Sequence, residues 1–195
     1  MSDIEIGKFI VIEGNDGSGK GTQTELLAGR LLTEFGIQVV SYREPGGSPI
    51  GEEIRKIFKD QSLPRTPETN VDLIFANRRE NWRQGILPAL LLGQWVVNDR
   101  SDMSTYAYQG YGEGFDLDDI RSRMDNMPDG YRKPSLEIVL DVSVAECRKR
   151  NSEDPSKMDY FEEKGYSFFE KVGLGYREIA EIKGAQVIDG ERSIE

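Results

Sequence analysis

The sequence predicts an α/β fold in which a parallel sheet is covered by helices on both faces, and three observations carry that reading. The apolar run Phe9–Ile12 is followed at once by a glycine-rich loop and then by residues at helical spacing. Short β-branched runs go on alternating with amphipathic stretches down the chain. No repeat, low-complexity tract or linker breaks the alternation, so the 195 residues are expected to form one domain around one core.

Taken in order, Phe9–Ile12 is a buried strand, and Gly14, Gly17, Gly19 and Gly21 then break the chain into a loop around Lys20. From Thr22 the spacing of Leu26, Leu27, Arg30 and Leu31 is helical, giving a first helix over about Lys20–Phe35, ended by Gly36. Ile37–Tyr42 reads as the second strand, and Arg43-Glu44-Pro45-Gly46-Gly47 as the turn after it. Pro49–Phe58 reads as a short helix. Thr66 caps a helix with Pro67 at its first position, and Val71, Ile74, Phe75 and Trp82 form its stripe, with an end expected near Gln84-Gly85. Ile86–Leu92 is a further helix stopped by Gly93, and Gln94–Asn98 a third strand that ends at Asp99-Arg100. Ser104–Gln109 is a helical turn opening into a glycine-rich loop, Gly110–Gly114, before a helix over Asp118–Asn126. Leu136–Leu140 is the fourth strand. Ser143 and Glu146 have the spacing of a capping box for the helix that carries Arg148, Lys149 and Arg150. An exposed loop over Asn151–Lys157, a long helix over about Tyr160–Lys183 and a last strand, Gln186–Ile188, complete the chain.

Strand, glycine loop and helix in that order make a phosphate-binding arrangement. Glycines let successive backbone N–H groups turn inward, and the helix N-terminus adds partial positive charge. Gly14, Gly19 and Lys20 satisfy G-x-x-x-x-G-K, with the lysine in reach of β- and γ-phosphates. One position departs from that pattern. The residue after the lysine is ordinarily Ser or Thr, whose hydroxyl binds Mg²⁺, and here it is Gly21, with Thr22 next. Parallel sheets bind ligands at the carboxyl ends of their strands, which brings the loop, Arg43, Asp99 and Arg100 together. That is more positive charge than one nucleotide needs, so a second phosphorylated ligand is expected.

Composition removes other chemistries. The chain holds 35 acidic and 25 basic residues, a formal charge of −10, which disfavours nonspecific binding to nucleic acid or anionic membrane. With no histidine there is no Ser-His-Asp triad, no histidine base and no histidine-ligated metal. Cys147 is the single cysteine, so neither an internal disulfide nor a cysteine metal cluster forms, and its helical context reads as a packing position. Asp3 and Glu5 stand where a secretory leader would carry cations, and Ile86–Leu92 is too short to span a bilayer. A cytoplasmic, reducing location is the expectation.

Val11-Ile12-Glu13-Gly14 before the loop, the Arg43–Gly47 turn, Asp99-Arg100 with Ser104, and Ala107-Tyr108-Gln109-Gly110 together resemble the thymidylate kinases, a family of P-loop nucleoside monophosphate kinases. The resemblance runs from Phe9 to Ile188. It implies a three-layer fold with a five-stranded parallel sheet and a short lid over about residues 148–162. The activity it implies is transfer of the ATP γ-phosphoryl group to dTMP by direct in-line displacement with Mg²⁺, on the route to dTTP. The family is typically homodimeric, and Trp82 with Ile86–Leu92 offers apolar helical material for an interface.

Residue by residue, the resemblance gives catalytic roles to Lys20, Asp16 and Arg100. It assigns ATP to Gly14, Asn15, Asp16, Gly17, Ser18, Gly19, Lys20, Gly21 and Thr22, with Arg148 and Arg150 from the later helix. It assigns dTMP to Asp16, Arg43, Phe75, Arg79, Arg100, Ser104, Tyr108 and Gln109. Arg78 and Arg79 both flank the apolar stripe, and periodicity does not choose between them. The family's spacing of phenylalanine and arginine, four residues apart, selects Phe75 with Arg79. Mg²⁺ falls to Asp99 and Thr22, directly or through water.

A phosphate monoester needs no base, because its second pKa is about 6. The task is to hold two polyanions in line, and that rests on cations and position. The lid departs from the family. Asp159-Tyr160-Phe161-Glu162 has tyrosine where D-R-x-E has arginine, and Gly173 stands at the place of a second arginine. Arg148, Arg150 and Lys157 are the candidates for the cation at the transferring group. Two alternatives stay open: a kinase for another deoxynucleoside monophosphate such as dUMP, and a nucleotide-binding homologue with impaired catalysis.

Overall fold

The structure is a computed structural model and describes residues 5–128, 130–152 and 160–192. Strands Phe9–Gly14 (β1), Val39–Arg43 (β2), Trp95–Asp99 (β3), Leu136–Asp141 (β4) and Gln186–Asp189 (β5) pair in parallel in the spatial order β2-β3-β1-β4-β5. β1 is central and all six of its residues are buried, which explains its unbroken apolar run. The register sets Ile12 beside Asp99, and Asp99 beside Arg43. One end of the sheet therefore collects the loop after β1, the turn after β2 and the Asp99-Arg100 step.

Helix α1, Lys20–Phe35, stops where Gly36 turns left-handed and its N–H bonds back to Leu31 and Leu32 carbonyls. Helix α2, Pro49–Lys59, is capped by Ser48, whose Oγ accepts from the Gly51 N–H at 3.1 Å. Helix α3, Pro67–Asn81, is capped by Thr66 as expected.

The break expected near Gln84-Gly85 does not occur. A π-helical turn, Trp82–Ile86, carries α3 straight into α4, Leu87–Leu91. Pro88, which has no N–H to give, sits just past that turn. Gly85 serves packing here, since a β-carbon on it would lie 1.8 Å from the Tyr42 hydroxyl.

A second difference lies after β3. Helix α5, Asp102–Thr105, runs into a π-helical turn, Tyr106–Gly112, where a glycine-rich loop over Gly110–Gly114 was expected. The glycines are there for close packing. A β-carbon at Gly110 would strike Leu117 of α6, Leu117–Asp125, at 2.3 Å. One at Gly112 would strike Phe168 of α8, Tyr166–Lys183, at 2.5 Å. That last helix starts later than the expected Tyr160, because Gly165 has φ 80 and separates it from a 3₁₀ turn, Glu162–Lys164.

Helix α7, Val144–Ser152, has only half of the expected capping box. Ser143 Oγ accepts from the Glu146 N–H at 3.3 Å, but the Glu146 carboxylate turns to Lys149 and Arg150, and the Ser143 N–H goes to Glu191. Cys147 is buried, as a packing residue should be. Trp82, Ile86 and Leu90 are buried against Phe9, Val11 and Val96, so of the apolar stretch offered as interface material Leu91 and Leu92 are the exposed leucines. Among the described residues no helix is long and apolar enough to cross a membrane.

The turn after β2 is fastened to α3 by polar groups. Asn77 makes a two-way bridge with the Gly46 backbone at 2.7 and 2.8 Å, and Arg78 donates Nε and Nη2 to Glu44 Oε2 at 2.9 and 2.8 Å. Both partners of this ion pair are about 2% exposed. Removing one partner strands the other charge in the interior, which typically costs about 3–5 kcal/mol. Glu44→Ala is therefore expected to lose about that much stability in urea denaturation, far more than Glu53→Ala, whose pair with Lys56 is exposed.

Candidate active site

Between β1 and α1 the chain closes a tight loop, with the Ser18 N–H donating to the Asn15 carbonyl at 3.1 Å. Gly17, at φ 86, lies so close to α7 that a β-carbon would sit 2.4 Å from the Cys147 carbonyl oxygen. Lys20 is the first residue of α1 and is buried, its Nζ bonding the Asn15 carbonyl at 2.8 Å. Burial and the Arg100 charge pull its pKa below the ordinary lysine value, against Asp99 and Asp16, so an arriving phosphate would favour its charged form.

Arg100 is the hub of the site. It is left-handed, φ 76, and its N–H continues the sheet to the Ile12 carbonyl at 3.0 Å. Nη2 meets Asp16 Oδ1 at 2.6 Å, and Nη1 donates to the Gly14 carbonyl, Ser104 Oγ and Tyr176 Oη at 3.0, 3.1 and 2.7 Å. Tyr108 closes the ring by donating its hydroxyl to Asp16 Oδ2 at 2.7 Å. Burial alone would raise the Asp16 carboxyl, but Arg100, Lys20 and the Tyr108 hydrogen bond overcome it and hold it well below the usual range. Behind Arg100, burial pushes the Glu13 carboxyl up to about 7, against the Ser104 hydrogen bond and the Arg100 charge.

Two clefts open on this cluster. The larger, about 1020 Å³, runs along the loop and α1 past Leu27, Ile138 and Arg150 to the residues after β5. The smaller, about 150 Å³, lies between Arg43, Arg100, Ile74, Phe58 and Phe161. Asp16, Lys20, Arg55 and Lys59 line both. The sequence reading missed Arg55 and Lys59. Their signal is the i, i+4 spacing of two cations on the helix that follows the Arg43–Gly47 turn, which puts both on one face. Arg55 donates to the Pro45 carbonyl at 2.9 Å, so the turn itself aims it.

Asp16, Arg43, Arg100, Ser104, Tyr108 and Gln109 all line the smaller cleft. Asn15 is buried in the loop, and residues 16 to 22 line the larger cleft, as does Arg150, which is held by Glu146 at 2.9 Å and the Gly190 carbonyl at 3.0 Å. Other expectations are redirected.

Phe75 is 1% exposed and packs in the core with Val71, Met103 and Ile120, while its neighbour Ile74 takes the cleft-lining place. Neither arginine lines a cleft: Arg79 is exposed, and Arg78, four residues after Ile74, is buried and points to Glu44 and to Thr105 Oγ1 at 3.0 Å. The structure thus brings Ile74 rather than Phe75 to the cleft, and neither arginine. Arg148 opens with Asn15 and Asp16 onto a separate small crevice. Thr22 lines the larger cleft, but position 21 faces the carboxylate, since a β-carbon there would lie 3.9 Å from Asp99 Oδ2.

In the lid, Tyr160 turns toward the α2–α3 connection. Its hydroxyl donates to the Arg65 carbonyl at 3.3 Å, with Arg65 3.9 Å and Lys164 4.7 Å from its ring. Lys157, Asp159 and the rest of 153–159, the middle of the lid expected over 148–162, lie outside the described residues.

Two clefts that meet over one buried lysine suit a reaction between two phosphorylated ligands. With this sheet order and loop they place the chain in the class of P-loop nucleoside monophosphate kinases. Comparisons narrow the class. The family model described as thymidylate kinase matches residues 12–195. A thymidylate kinase of Nitrosospira multiformis is 40% identical over 191 residues, 97% of this chain and 92% of its own length. One from Chlamydia felis is 38% identical over 192 residues, 96% and 91% of the two chains. The crystal structure of thymidylate kinase from Ehrlichia chaffeensis superposes with a TM-score of 0.76 at 33% identity, covering 97% of this chain and 90% of that one. The chain belongs to the thymidylate kinase family.

The redirected arginine gives a direct test. Arg79→Ala is expected to leave kcat and the KM for the acceptor within about two-fold, as an exposed substitution should. Arg78→Ala is expected to raise that KM or lower stability sharply. Steady-state kinetics alongside thermal melting separates the two.

Proposed function

We propose that this chain transfers the γ-phosphoryl group of ATP to dTMP, giving dTDP and ADP for dTTP synthesis. The observation that carries the reading is the shared lining of the two clefts, because an in-line transfer needs donor and acceptor phosphates to meet where cations already stand. ATP takes the larger cleft, with its phosphates on the loop and Lys20 and its base toward Arg150. The acceptor takes the smaller cleft, its phosphate gripped by Arg43 and Arg100 and its base between Ile74, Phe58 and Phe161. Each arginine offers two parallel N–H donors, which suits a phosphate better than a lysine does. Asp16 and Tyr108 hold Arg100 in place. Arg55 and Lys59 at the junction answer for part of the positive charge absent at Tyr160 and Gly173.

The donor set fits a magnesium ion. Asp99 Oδ1 is buried without a hydrogen-bond partner, and its carboxylate faces Gly21, where a hydroxyl is missing. Asp99 would hold the ion, with water in place of the hydroxyl, and the bound ion would neutralise charge on the β- and γ-phosphates. Gly21→Ser adds the missing oxygen beside Asp99 and is expected to lower the Mg²⁺ concentration for half-maximal rate. A titration of rate against Mg²⁺ reads this directly.

A dUMP kinase is the reading nearest to this one, since the two bases differ by one methyl group, worth about 1–3 kcal/mol of discrimination in an apolar pocket. We also read the chain as a single domain with its lid over about 148–162, as a homodimer, and as cytoplasmic. The deciding assay couples ADP release to each nucleoside monophosphate in turn with ATP and Mg²⁺. Preference for dTMP supports the proposal, and silence with all of them alongside measurable ATP binding would overturn it. Arg100→Ala is expected to abolish dTMP turnover while leaving ATP affinity within about three-fold.

A further inference from the structure

Glu13 lies in the middle of the sheet, is fully buried, and reaches neither cleft. Its Oε1 accepts from the backbone N–H groups of Ser101 at 2.7 Å and Ser104 at 3.4 Å. Its Oε2 accepts the Ser104 hydroxyl at 2.5 Å. A hydroxyl has one proton, so Ser104 has only lone pairs left for its other neighbours, Tyr176 Oη at 2.7 Å and Arg100 Nη1 at 3.1 Å. Tyr176 must then donate to Ser104, and it accepts from Arg100 Nη1 at 2.7 Å. With Glu13 ionised, every proton in this chain points toward it. Arg100 Nη1 consequently faces three acceptors, counting the Gly14 carbonyl at 3.0 Å. Nothing in the cluster competes with it as a donor. That matters because Arg100 is held at φ 76, a conformation unfavourable for a non-glycine residue that persists only when its surroundings fix it.

We propose that Glu13 is a positioning residue that, through Ser104 and Tyr176, sets the hydrogen-bond direction holding the Arg100 guanidinium toward the acceptor phosphate. The proposal rests on the phosphoryl transfer described above, and Glu13 itself touches no substrate.

Glu13→Gln tests it with almost no change of shape. The Gln oxygen takes the two backbone N–H groups, and its amide nitrogen must then donate to Ser104 Oγ. The hydroxyl turns to Tyr176, Tyr176 turns its own proton toward Arg100, and two donors face each other. The expected result is a fall in kcat of about 10²-fold, the scale of a misplaced catalytic group, with the KM for ATP unchanged. Ser104→Ala added to Glu13→Gln should cost little more, because both break one chain. An equal loss of ATP affinity, or kcat within about two-fold of wild type, would overturn the proposal. The two readings fail separately. Wild-type inactivity on dTMP defeats the reaction, whereas Glu13 is also read without turnover, by proton exchange of the Arg100 guanidinium in NMR spectra. Faster exchange in Glu13→Gln supports the role, and unchanged exchange defeats it.

Discussion

The half-buried guanidinium of Arg100 is the constraint on which the rest of the site depends. It sits at the end of a central strand, where the sheet delivers it against the phosphate loop, and Asp16 neutralises it there at 2.6 Å. The pair solves a problem of folding before it serves chemistry. A lone charge in that position would be intolerable, and a fully satisfied one would be inert. Asp16 belongs to the glycine loop and lines both clefts, and Arg100 lines the smaller one, so the two clefts share one electrostatic unit. Whatever binds one side changes the field felt on the other.

The fold follows from the same economy of position. β1 is apolar throughout because both its faces are covered, and it carries at its end the residues that cannot be apolar. Glu13 is the exception inside the strand, and its partners show why it is tolerated there. Two backbone N–H groups and a hydroxyl satisfy it, all from the segment that starts α5. The turn after β2 is handled in the same way, with Asn77, Asn81 and Arg78 supplying from α3 the partners of its buried backbone and carboxylate.

Much of this was legible in the sequence. The alternation of strand and helix gave the sheet, and the rule that ligands gather at carboxyl ends brought Arg43, Asp99 and Arg100 to the loop before any coordinate did. The misses have physical causes. Phe75 went to the core and Ile74 to the cleft because two apolar residues are adjacent there, and only packing tells which of them turns inward. Gly85, Gly110 and Gly112 looked like breakers, but each is small so that a neighbouring side chain can approach a helix. Arg55 and Lys59 carried no motif, and their importance comes from the fold of the turn that precedes them. Tyr160 could be read as a lost arginine, but not as a residue docked against Arg65 instead.

The π-helical turn over Tyr106–Gly112 has a consequence for how this protein tolerates change in length. Such a turn accommodates one residue more than an α-turn does, and that extra residue lets the adjacent Tyr108 and Gln109 both line the smaller cleft while α5 keeps its grip on Glu13. Deleting one residue there would close the bulge to a regular helix, so the helix beyond keeps its faces while Tyr108 and Gln109 lose the widened turn that sets both on the cleft. The packing of the helix against Phe168 would survive such a deletion, and the wall of the smaller cleft would change. A change of length in this stretch, whose composition alone looks like a loop, therefore acts on the cleft before it acts on the fold.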